Sequence, residues 1–206
     1  MSICIIDYGL GNLASIRNMI RKAGGKSEIS ADPAAVAAAE KLILPGVGHF
    51  AAGMENLRNS GLLPVLNEAV LEQKIPILGI CLGMQLMAKH SEEGDVEGLG
   101  WFDANIIRFR QEAMGALKVP HMGWNEVKPT RPHPLFPNIQ DPERFYFVHS
   151  YHWKCNNPED ALAHAHYGYD FTCAVSRENI AGMQFHPEKS HRFGMEMMHR
   201  FIQWKP

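Results

Sequence analysis

Strand-like apolar runs alternate with helix-like stretches over the first eighty residues. In chain order these segments cover residues 3–6, 13–23, 42–44, 54–57, 62–73 and 75–80. Strands separated by helices are typical of βαβ units, whose crossover connections build a parallel sheet. This part of the chain therefore predicts an α/β fold with a central, mostly parallel, twisted sheet and flanking helices.

The pattern changes in the second half of the chain. Short apolar runs follow one another closely, at residues 144–148, 161–167, 171–177 and 180–185. Such spacing predicts hairpins, and hence an antiparallel extension of the sheet. A last helix is predicted near residues 195–202, with Met195, Met197 and Met198 on its packed face. The loops at 91–100 and 131–142 are too short to separate domains, so we expect one domain over residues 1–206.

A cysteine lies where a predicted strand gives way to a helix. The motif is Gly79-Ile-Cys-Leu-Gly83, followed by the helix-like residues 84–88. Glycines two residues either side of Cys81 allow a sharp turn, the geometry of a nucleophile elbow with sulfur in place of a serine oxygen. A helix N-terminus favours the thiolate, which is the reactive form of cysteine. Cys81 is therefore a candidate nucleophile; the alternative is a buried cysteine packed as a small hydrophobe.

A partner for proton transfer is found 105 residues further on, in Gly182-Met-Gln-Phe-His-Pro-Glu188. His186 follows an apolar run, and Pro187 ends that strand, so the imidazole lies at the exit of the sheet. Glu188 is placed to accept the Nδ1 proton, as the third member of a Cys-His-acid triad does. The alternative is an ordinary structural histidine beside a solvated glutamate.

A glycine-bearing loop after residues 42–44 is a candidate oxyanion hole. Gly46 and Gly48 flank Val47, and either glycine can turn a backbone N–H inward. Together with the amide of Leu82, such a loop stabilises the negative charge that develops on a carbonyl oxygen. Because Pro-Gly also occurs in ordinary turns, this motif on its own does not distinguish an oxyanion hole from a turn.

Taken together, three motifs resemble the class-I, triad-type glutamine amidotransferases: Pro45-Gly-Val-Gly48, Gly79-Ile-Cys-Leu-Gly-Met-Gln85 and Gln184-Phe-His-Pro-Glu-Lys-Ser190. Residues 7–13, 120–125 and 146–151 are similar to the glutaminase subunits of imidazole glycerol phosphate synthases. The resemblance covers residues 3–202. It implies the fold of that family and hydrolysis of L-glutamine to glutamate and ammonia through a γ-glutamyl thioester. The same resemblance implies that Gln85 contacts glutamine and that His149, Ser150 and Tyr151 meet its amino-acid end.

Ammonia released into water becomes ammonium, which is no nucleophile, so we expect a partner that receives it directly. The resemblance implies a (β/α)₈-barrel cyclase on a separate chain and hence a heterodimer. That cyclase would make imidazole glycerol phosphate and aminoimidazole carboxamide ribotide in histidine biosynthesis. Carried over by position, the residues at or near the interface would be Asn12, Met122, Trp124, Asn125 and Lys189. Trp124 is equally compatible with an ordinary core position.

Two other functions remain open at this point. A paralogue with the same glutaminase chemistry would feed another synthase, for example one that amidates a bacterial surface sugar. Residues 151–153 and 190–195 depart somewhat from the commonest histidine-pathway pattern, which favours keeping this alternative. A non-catalytic protein that only binds a partner is disfavoured by the complete set of Cys81, His186 and Glu188.

Composition narrows the class of protein further. The chain has 206 residues, 46% of them hydrophobic, and a net charge of −2, which gives no electrostatic reason to expect nucleic-acid binding. Its apolar runs are too short to cross a membrane, and its start does not resemble a signal peptide. We therefore expect a cytoplasmic protein with four reduced cysteines and without a cofactor or metal.

Three weaker motifs suggest other ligands. Gly9-Leu-Gly11 with Ala14 and the acidic Asp32 formally fits a dinucleotide fingerprint, but no hydride chemistry follows it. Gly25-Lys-Ser27 resembles the end of a P-loop, except that the required first glycine is replaced by Ile20. His164 and His166 alternate along a predicted strand, and no third metal ligand stands at a recognisable spacing.

Overall fold

The computed structural model describes residues 2–206, and its centre is a mixed sheet. Over these residues the sheet has thirteen strands: β1 (Ser2–Ile6), β2 (Lys26–Ser30), β3 (Lys41–Leu44), β4 (Ile77–Ile80), β5 (Ala88–Ser91), β6 (Val96–Glu97), β7 (Phe102–Arg108), β8 (His121–Pro129), β9 (Glu143–His149), β10 (Tyr151–Cys155), β11 (Ala161–Tyr167), β12 (Tyr169–Arg177) and β13 (Ile180–Met183). The α-helices are α1 (Leu13–Lys22), α2 (Pro33–Ala37), α3 (Phe50–Asn59), α4 (Leu63–Asn67), α5 (Leu82–Leu86) and α6 (His191–Gln203).

Five neighbouring strands form a continuous parallel part of the sheet, in the order β2-β1-β3-β4-β13, and β5 pairs in parallel with β7 further along the sheet. The strands β3, β4 and β13 are buried along their whole length, as expected for strands covered on both faces. Ile3 and Ile5 of β1 pack on the side of α1 and α6, whereas Cys4 and Ile6 pack on the side of α3 and α4. The period-two alternation of a strand thus supplies two cores, one on each face. The predicted parallel sheet with flanking helices is confirmed.

The predicted antiparallel extension is also confirmed. β12 runs antiparallel to β13, and β10 continues the sheet antiparallel to both β12 and β7. A second layer of pairings joins β11 to β12 and β8, and β8 to β9. This extension brings the polar end of β9 and the start of β10 close to the carboxyl end of the parallel strands.

Several strands lie where the apolar pattern predicted none. β7, β8 and β10 carry polar side chains at frequent intervals, and β8 has only His121 and Val127 fully buried. Hydrogen bonding to neighbouring strands and burial of isolated side chains stabilise these strands. They contain no continuous apolar run, so the apolar pattern does not predict them. The short strand β6 falls within the predicted loop 91–100. The strand predicted over 75–80 begins only at Ile77.

The helical predictions differ mainly at the ends. The segment predicted as one helix over 62–73 is α4 followed by a π-helical turn, Glu68–Glu72. The last helix begins at His191, four residues before the predicted start, and buries Met197 and Met198 as expected, with Met195 half-buried. No helix within residues 2–206 combines the length and apolar character needed to span a lipid bilayer.

Candidate active site

Cys81 occupies a strained turn between β4 and α5. Its backbone has φ 53° and ψ −111°, a left-handed conformation that a residue with a side chain rarely adopts. The backbone N–H of Cys81 donates to the carbonyl of Met183, so the turn is tied to β13. The predicted nucleophile elbow is therefore present, with the sulfur of Cys81 at the beginning of α5.

The close packing around Cys81 leaves no room for a side chain at Gly79 or Gly83. A Cβ on Gly83 would lie 1.8 Å from the carbonyl oxygen of Leu44, and one on Gly79 would lie 2.7 Å from Cα of Met84. Neither contact is possible for real atoms. The two glycines thus let α5 pack directly against the ends of β3 and β4, which holds Cys81 in its turn.

His186 and Glu188 form the expected hydrogen-bonded pair. Nδ1 of His186 lies 2.8 Å from Oε1 of Glu188, and the two side chains are only 2% and 3% exposed. The backbone N–H of His186 donates to the carbonyl of Tyr146, and Pro187 begins a 3₁₀ turn, Pro187–Lys189. Nε2 of His186 is buried and has no hydrogen-bond partner among residues 2–206.

The electrostatic environment of His186 favours the imidazolium. Burial by itself lowers the pKa of His186, but Cys81 and the carboxylate of Glu188 together raise that pKa to about 10. The ring therefore holds its proton at neutral pH, beside the sulfur and oriented by the carboxylate. This is the charge distribution of a Cys-His-acid triad.

Strand register explains why residues so far apart in sequence meet. β13 is parallel to β4, with Met183 opposite Ile80, so both chains leave the sheet at the same edge. β3 lies on the other side of β4, with Leu44 opposite Gly79. The three connections that follow these strands carry the loop at residues 45–48, the cysteine and the histidine.

The loop after β3, the candidate oxyanion loop, packs tightly against the start of α5. The hydroxyl of Tyr8 donates to the carbonyl of Pro45 over 2.7 Å, which anchors the loop. A Cβ on Gly46 would lie 2.6 Å from that hydroxyl and 2.8 Å from the amide nitrogen of Gly83. Gly48 has a φ of 101°, and Val47 between the glycines is 38% exposed.

A cavity of about 380 Å³ opens beside Cys81 and His186. It is lined by most of the predicted substrate residues together with Glu93, Pro120, Val148 and Lys189; the predicted ones are Val47, Gly48, Leu82, Gln85, His149, Ser150 and Tyr151. Gly46 and Glu188 are not part of this lining. No motif in the sequence pointed to Glu93, whose carboxylate accepts from the backbone N–H of Phe50 at the start of α3.

Two glutamine side chains connect the cavity wall to Cys81. Gln85 donates from Nε2 to the carbonyl of Tyr151 at 3.1 Å and to Oε1 of Gln184 at 2.9 Å. Gln184 is fully buried, and its Nε2 lies 3.7 Å from Sγ of Cys81. Sequence reasoning included Gln184 in a motif but assigned it no role, because its orientation depends on Gln85.

The predicted interface residues lie at or near the surface. Met122 is 61% exposed and Trp124 is 39% exposed, so Trp124 is not a core aromatic. The indole of Trp124 stacks on the ring of His191, with centroids 5.5 Å apart. Nζ of Lys189 lies 5.7 Å from the centroid of the Tyr146 ring, which itself contacts Trp124 edge-on.

The weaker motifs have structural roles. The carboxylate of Asp32 accepts from the backbone N–H of Ala34 and caps α2, which accounts for an acidic residue at this position. His166 pairs with Asp170, with Nδ1 and Oδ1 2.7 Å apart on the surface. Over residues 2–206, no three His, Cys, Asp or Glu side chains are grouped so as to hold a metal ion.

Comparisons with known proteins find relatives that match nearly the whole chain. The family model "Glutamine amidotransferase class-I" matches residues 4–204. The chain is 50% identical over 201 residues to "Imidazole glycerol phosphate synthase subunit HisH 2" of Pseudomonas aeruginosa, covering 98% of each. It is also 50% identical over 200 residues to the protein of the same name in Methanococcus maripaludis, covering 97% of this chain and 98% of that one.

Solved structures share the fold at lower identity. A putative GMP synthase component from Thermoplasma acidophilum superposes with a TM-score of 0.72 at 20% identity, covering 98% of this chain and 92% of the other. The structure of PurLQS from Thermotoga maritima gives 0.69 at 16% identity, covering 98% and 95%. These two matches support the fold alone.

Proposed function

This chain belongs to the class-I glutamine amidotransferase family, and we propose that it is the glutaminase subunit of an imidazole glycerol phosphate synthase. The observation that carries the proposal is the conjunction of Cys81 on its strained turn with the His186–Glu188 pair at one cavity. The relatives described above favour this synthase, which serves histidine biosynthesis, over a sugar-modifying paralogue.

The chemistry follows from the positions of these groups. The sulfur of Cys81 attacks the side-chain amide carbon of glutamine, and the carbonyl oxygen takes up the negative charge. Leu82 N–H and an N–H of the Gly46–Gly48 loop stabilise that charge, each donor typically contributing about 10²–10³-fold in rate. The protonated His186 then gives its proton to the departing nitrogen, so ammonia leaves and a γ-glutamyl thioester remains.

Hydrolysis of the thioester completes the cycle. The ring of His186, now neutral, takes a proton from water as that water attacks the thioester carbon. The collapse of the second tetrahedral intermediate releases glutamate and returns the sulfur of Cys81. Glu188 keeps Nδ1 of His186 protonated throughout, so that Nε2 is the atom that exchanges the proton.

The cavity suits glutamine in size and polarity. Because Gln85 directs its amide N–H groups to Tyr151 and Gln184, its carbonyl oxygen is available as an acceptor for the ammonium group of the substrate. Ser150 and the backbone near Tyr151 are placed along the same wall, where they would meet the amino-acid end of glutamine. A cavity of about 380 Å³ lies in the usual range for a small-molecule site.

Ammonia produced here requires an acceptor enzyme nearby. The two relatives described above are named as synthase subunits, which implies a second chain. We propose that this partner is a (β/α)₈-barrel cyclase, that the pair is a heterodimer, and that Asn12, Met122, Trp124, Asn125 and Lys189 contact it. The exposed Met122 and Trp124 supply the apolar surface that such a contact needs.

The test is the Cys81→Ala variant in complex with the barrel synthase. We expect glutamine-dependent synthesis to fall by at least about 10³-fold while synthesis from ammonium salts is retained, because only the source of ammonia is lost. Glutamate release and product formation are measured in parallel. The control is Cys155→Ala, since Cys155 lies outside the cavity. Glutamine use that survives in Cys81→Ala would rule out Cys81 as the nucleophile.

A further inference from the structure

A line of buried polar groups runs from β8 to the wall of the glutamine cavity. Nδ2 of Asn125 lies 3.2 Å from Nε2 of His121, and Nδ1 of His121 lies 2.9 Å from Nε2 of His149. Nδ1 of His149 in turn lies 2.7 Å from the carbonyl oxygen of Tyr151. The two rings are only 2% and 6% exposed. We call this set of groups the histidine chain.

The groups at the two ends of the histidine chain determine which atom donates and which accepts in each of its hydrogen bonds. A carbonyl oxygen only accepts, so Nδ1 of His149 carries a hydrogen and donates to Tyr151. The Nε2 of a neutral His149 then accepts, which requires that Nδ1 of His121 is the donor. Nε2 of His121 accepts in its turn from the side-chain amide of Asn125.

The orientation of Asn125 agrees with this direction. Its Oδ1 accepts from the backbone N–H of Glu126 at 2.8 Å, and its Nδ2 also donates to the carbonyl of His166 at 2.8 Å. The nitrogen end of the amide is therefore the end that faces His121. Both rings are neutral, because burial lowers the pKa of His121 to about 4 and lowers the pKa of His149 well below its usual value.

The carbonyl of Tyr151 links the histidine chain to the substrate site. It accepts from His149 on one side and from Nε2 of Gln85 on the other. The ring of His149 lines the cavity, yet both of its nitrogens are used within the protein. His149 therefore acts on glutamine through the groups that it holds in place and not through a ring nitrogen.

We propose that His121 is a positioning residue of the glutamine site. By donating to His149 it fixes the tautomer in which His149 holds the Tyr151 carbonyl, and that carbonyl orients the amide of Gln85 toward the substrate. This inference rests on the proposed glutaminase function. It assigns a role in substrate binding to a residue that is not part of the cavity wall.

Substitutions at position 121 separate hydrogen bonding from packing. The ring of His121 stacks on Tyr167 and Phe147, with centroids 4.1 Å and 4.8 Å away. His121→Phe keeps a stacked ring and removes the donor, whereas His121→Gln keeps a donor and an acceptor and removes the ring. If the donor is what matters, the glutamine variant is the less damaging of the two.

The matched control is His152→Phe. His152 is 4% exposed and packs on Phe109, as His121 does, but its ring nitrogens contact the carbonyl of Trp153 and the hydroxyl of Tyr169. Its replacement therefore disturbs the same aromatic cluster without breaking the histidine chain. Thermal unfolding of every variant shows whether the fold is retained.

The first readout is glutamine hydrolysis by the complex with its synthase. We expect His121→Phe to raise KM for glutamine about tenfold with kcat changed less than about threefold, and His121→Gln to stay within about threefold of the unsubstituted KM. An unchanged KM in His121→Phe, an equal rise in His152→Phe, or equal rises in both His121 variants would overturn the inference. Absence of glutamine hydrolysis in the unsubstituted complex would instead overturn the proposed function.

The second readout is independent of the reaction. Nitrogen-15 NMR of the imidazole rings reports which ring nitrogen carries the hydrogen, and we expect His121 and His149 both to be protonated on Nδ1. A neutral His149 with its hydrogen on Nε2 would overturn the inference whatever the substrate proves to be, because Nδ1 of His149 would then not donate to the Tyr151 carbonyl.

Discussion

The sulfur of Cys81 receives a hydrogen bond that its own sequence motif does not reveal. Gln184 points Nε2 at Sγ from a fully buried position, and the bond from Gln85 to its Oε1 determines which end of the amide faces the sulfur. An N–H donor stabilises negative charge on sulfur. We therefore expect Gln184 to stabilise negative charge on the sulfur of Cys81, alongside the imidazolium of His186.

Loss of this donor is expected to slow the reactions of the thiol. In Gln184→Leu, which keeps a similar volume, alkylation of Cys81 by iodoacetamide at pH 7 should be about five- to tenfold slower, the effect of one lost hydrogen bond of about 1 kcal/mol. The rate is followed by mass spectrometry of the modified peptide. Gln203→Leu is the control, since Gln203 lies at the end of α6 beside His199. Equal rates in Gln184→Leu and the unsubstituted protein would contradict the assigned contact.

At the scale of elements, the connection between β8 and β9 is organised by a histidine. Nδ1 of His133 accepts from the backbone N–H of Leu135, so Nε2 carries the hydrogen and lies 3.0 Å from Oγ of Ser176. Arg131 donates to the carbonyls of Ala161 and Ser176 from the same loop. A loop that is polar in sequence is thus attached to β11 and β12 by side-chain hydrogen bonds.

The protonation state of His133 predicts how the free energy of unfolding depends on pH. Burial, together with the charge of Arg131, lowers the pKa of His133 to about 4, below the value of about 6.5 expected in the unfolded chain. Between these values the unfolded state binds a proton that the folded state does not. The contribution of His133 to the free energy of unfolding is therefore complete above pH 6.5 and is lost as the pH falls toward 4.

The measurement is chemical denaturation of the unsubstituted protein and of His133→Asn at pH 7 and pH 5. Asparagine at this position keeps an acceptor for the N–H of Leu135 but does not titrate. The free energy of unfolding of the unsubstituted protein should fall relative to that of His133→Asn when the pH is lowered from 7 to 5. Groups that titrate alike in both proteins do not affect this difference between them. A difference that does not vary with pH would show that His133 titrates alike in both states.

At the scale of the whole molecule, the candidate active site lies at the carboxyl end of the parallel strands. The triad, the loop at residues 45–48 and the cavity all lie there, and the exposed Met122 and Trp124 lie on β8, the strand that the histidine chain connects to the cavity. Ligand sites at the carboxyl ends of strands are general in α/β proteins. A partner that docks on this edge would receive ammonia with little chance of its escape into water.

Met122 and Trp124 form the proposed docking surface, and negative charges placed there should weaken binding of the barrel synthase. The double substitution of Met122 and Trp124 by Asp should weaken binding to the barrel synthase by at least about tenfold, because a charge replaces apolar contact area. Binding is measured by titration calorimetry. Ile139→Asp is the control, since Ile139 is 41% exposed, close to the 39% of Trp124, and lies in the connection before β9. Comparable weakening in the control would place the interface elsewhere.

The sequence by itself determined the local geometry of the site. Glycines 79 and 83 after a buried strand favour the turn that carries Cys81, because backbone sterics act over a few residues. The strand predicted over 180–185 ends earlier, at Met183, and Pro187 instead begins a 3₁₀ turn after His186. Every α-helix except α2 overlaps a segment predicted as helical from its residue pattern, whereas α2 was not predicted. The polar strands β7, β8 and β10 escaped prediction, because pairing with neighbours and not apolar periodicity holds them.

The tertiary structure decided which of these local features meet. The register of β13 on β4 brings His186 to Cys81, and the pairing of β8 with β9 brings His121 to His149. Gln184, Glu93 and His121 acquire their roles only through partners that are distant in sequence. Such contacts depend on the packing of two cores against one sheet, a property of the whole chain that no short segment encodes.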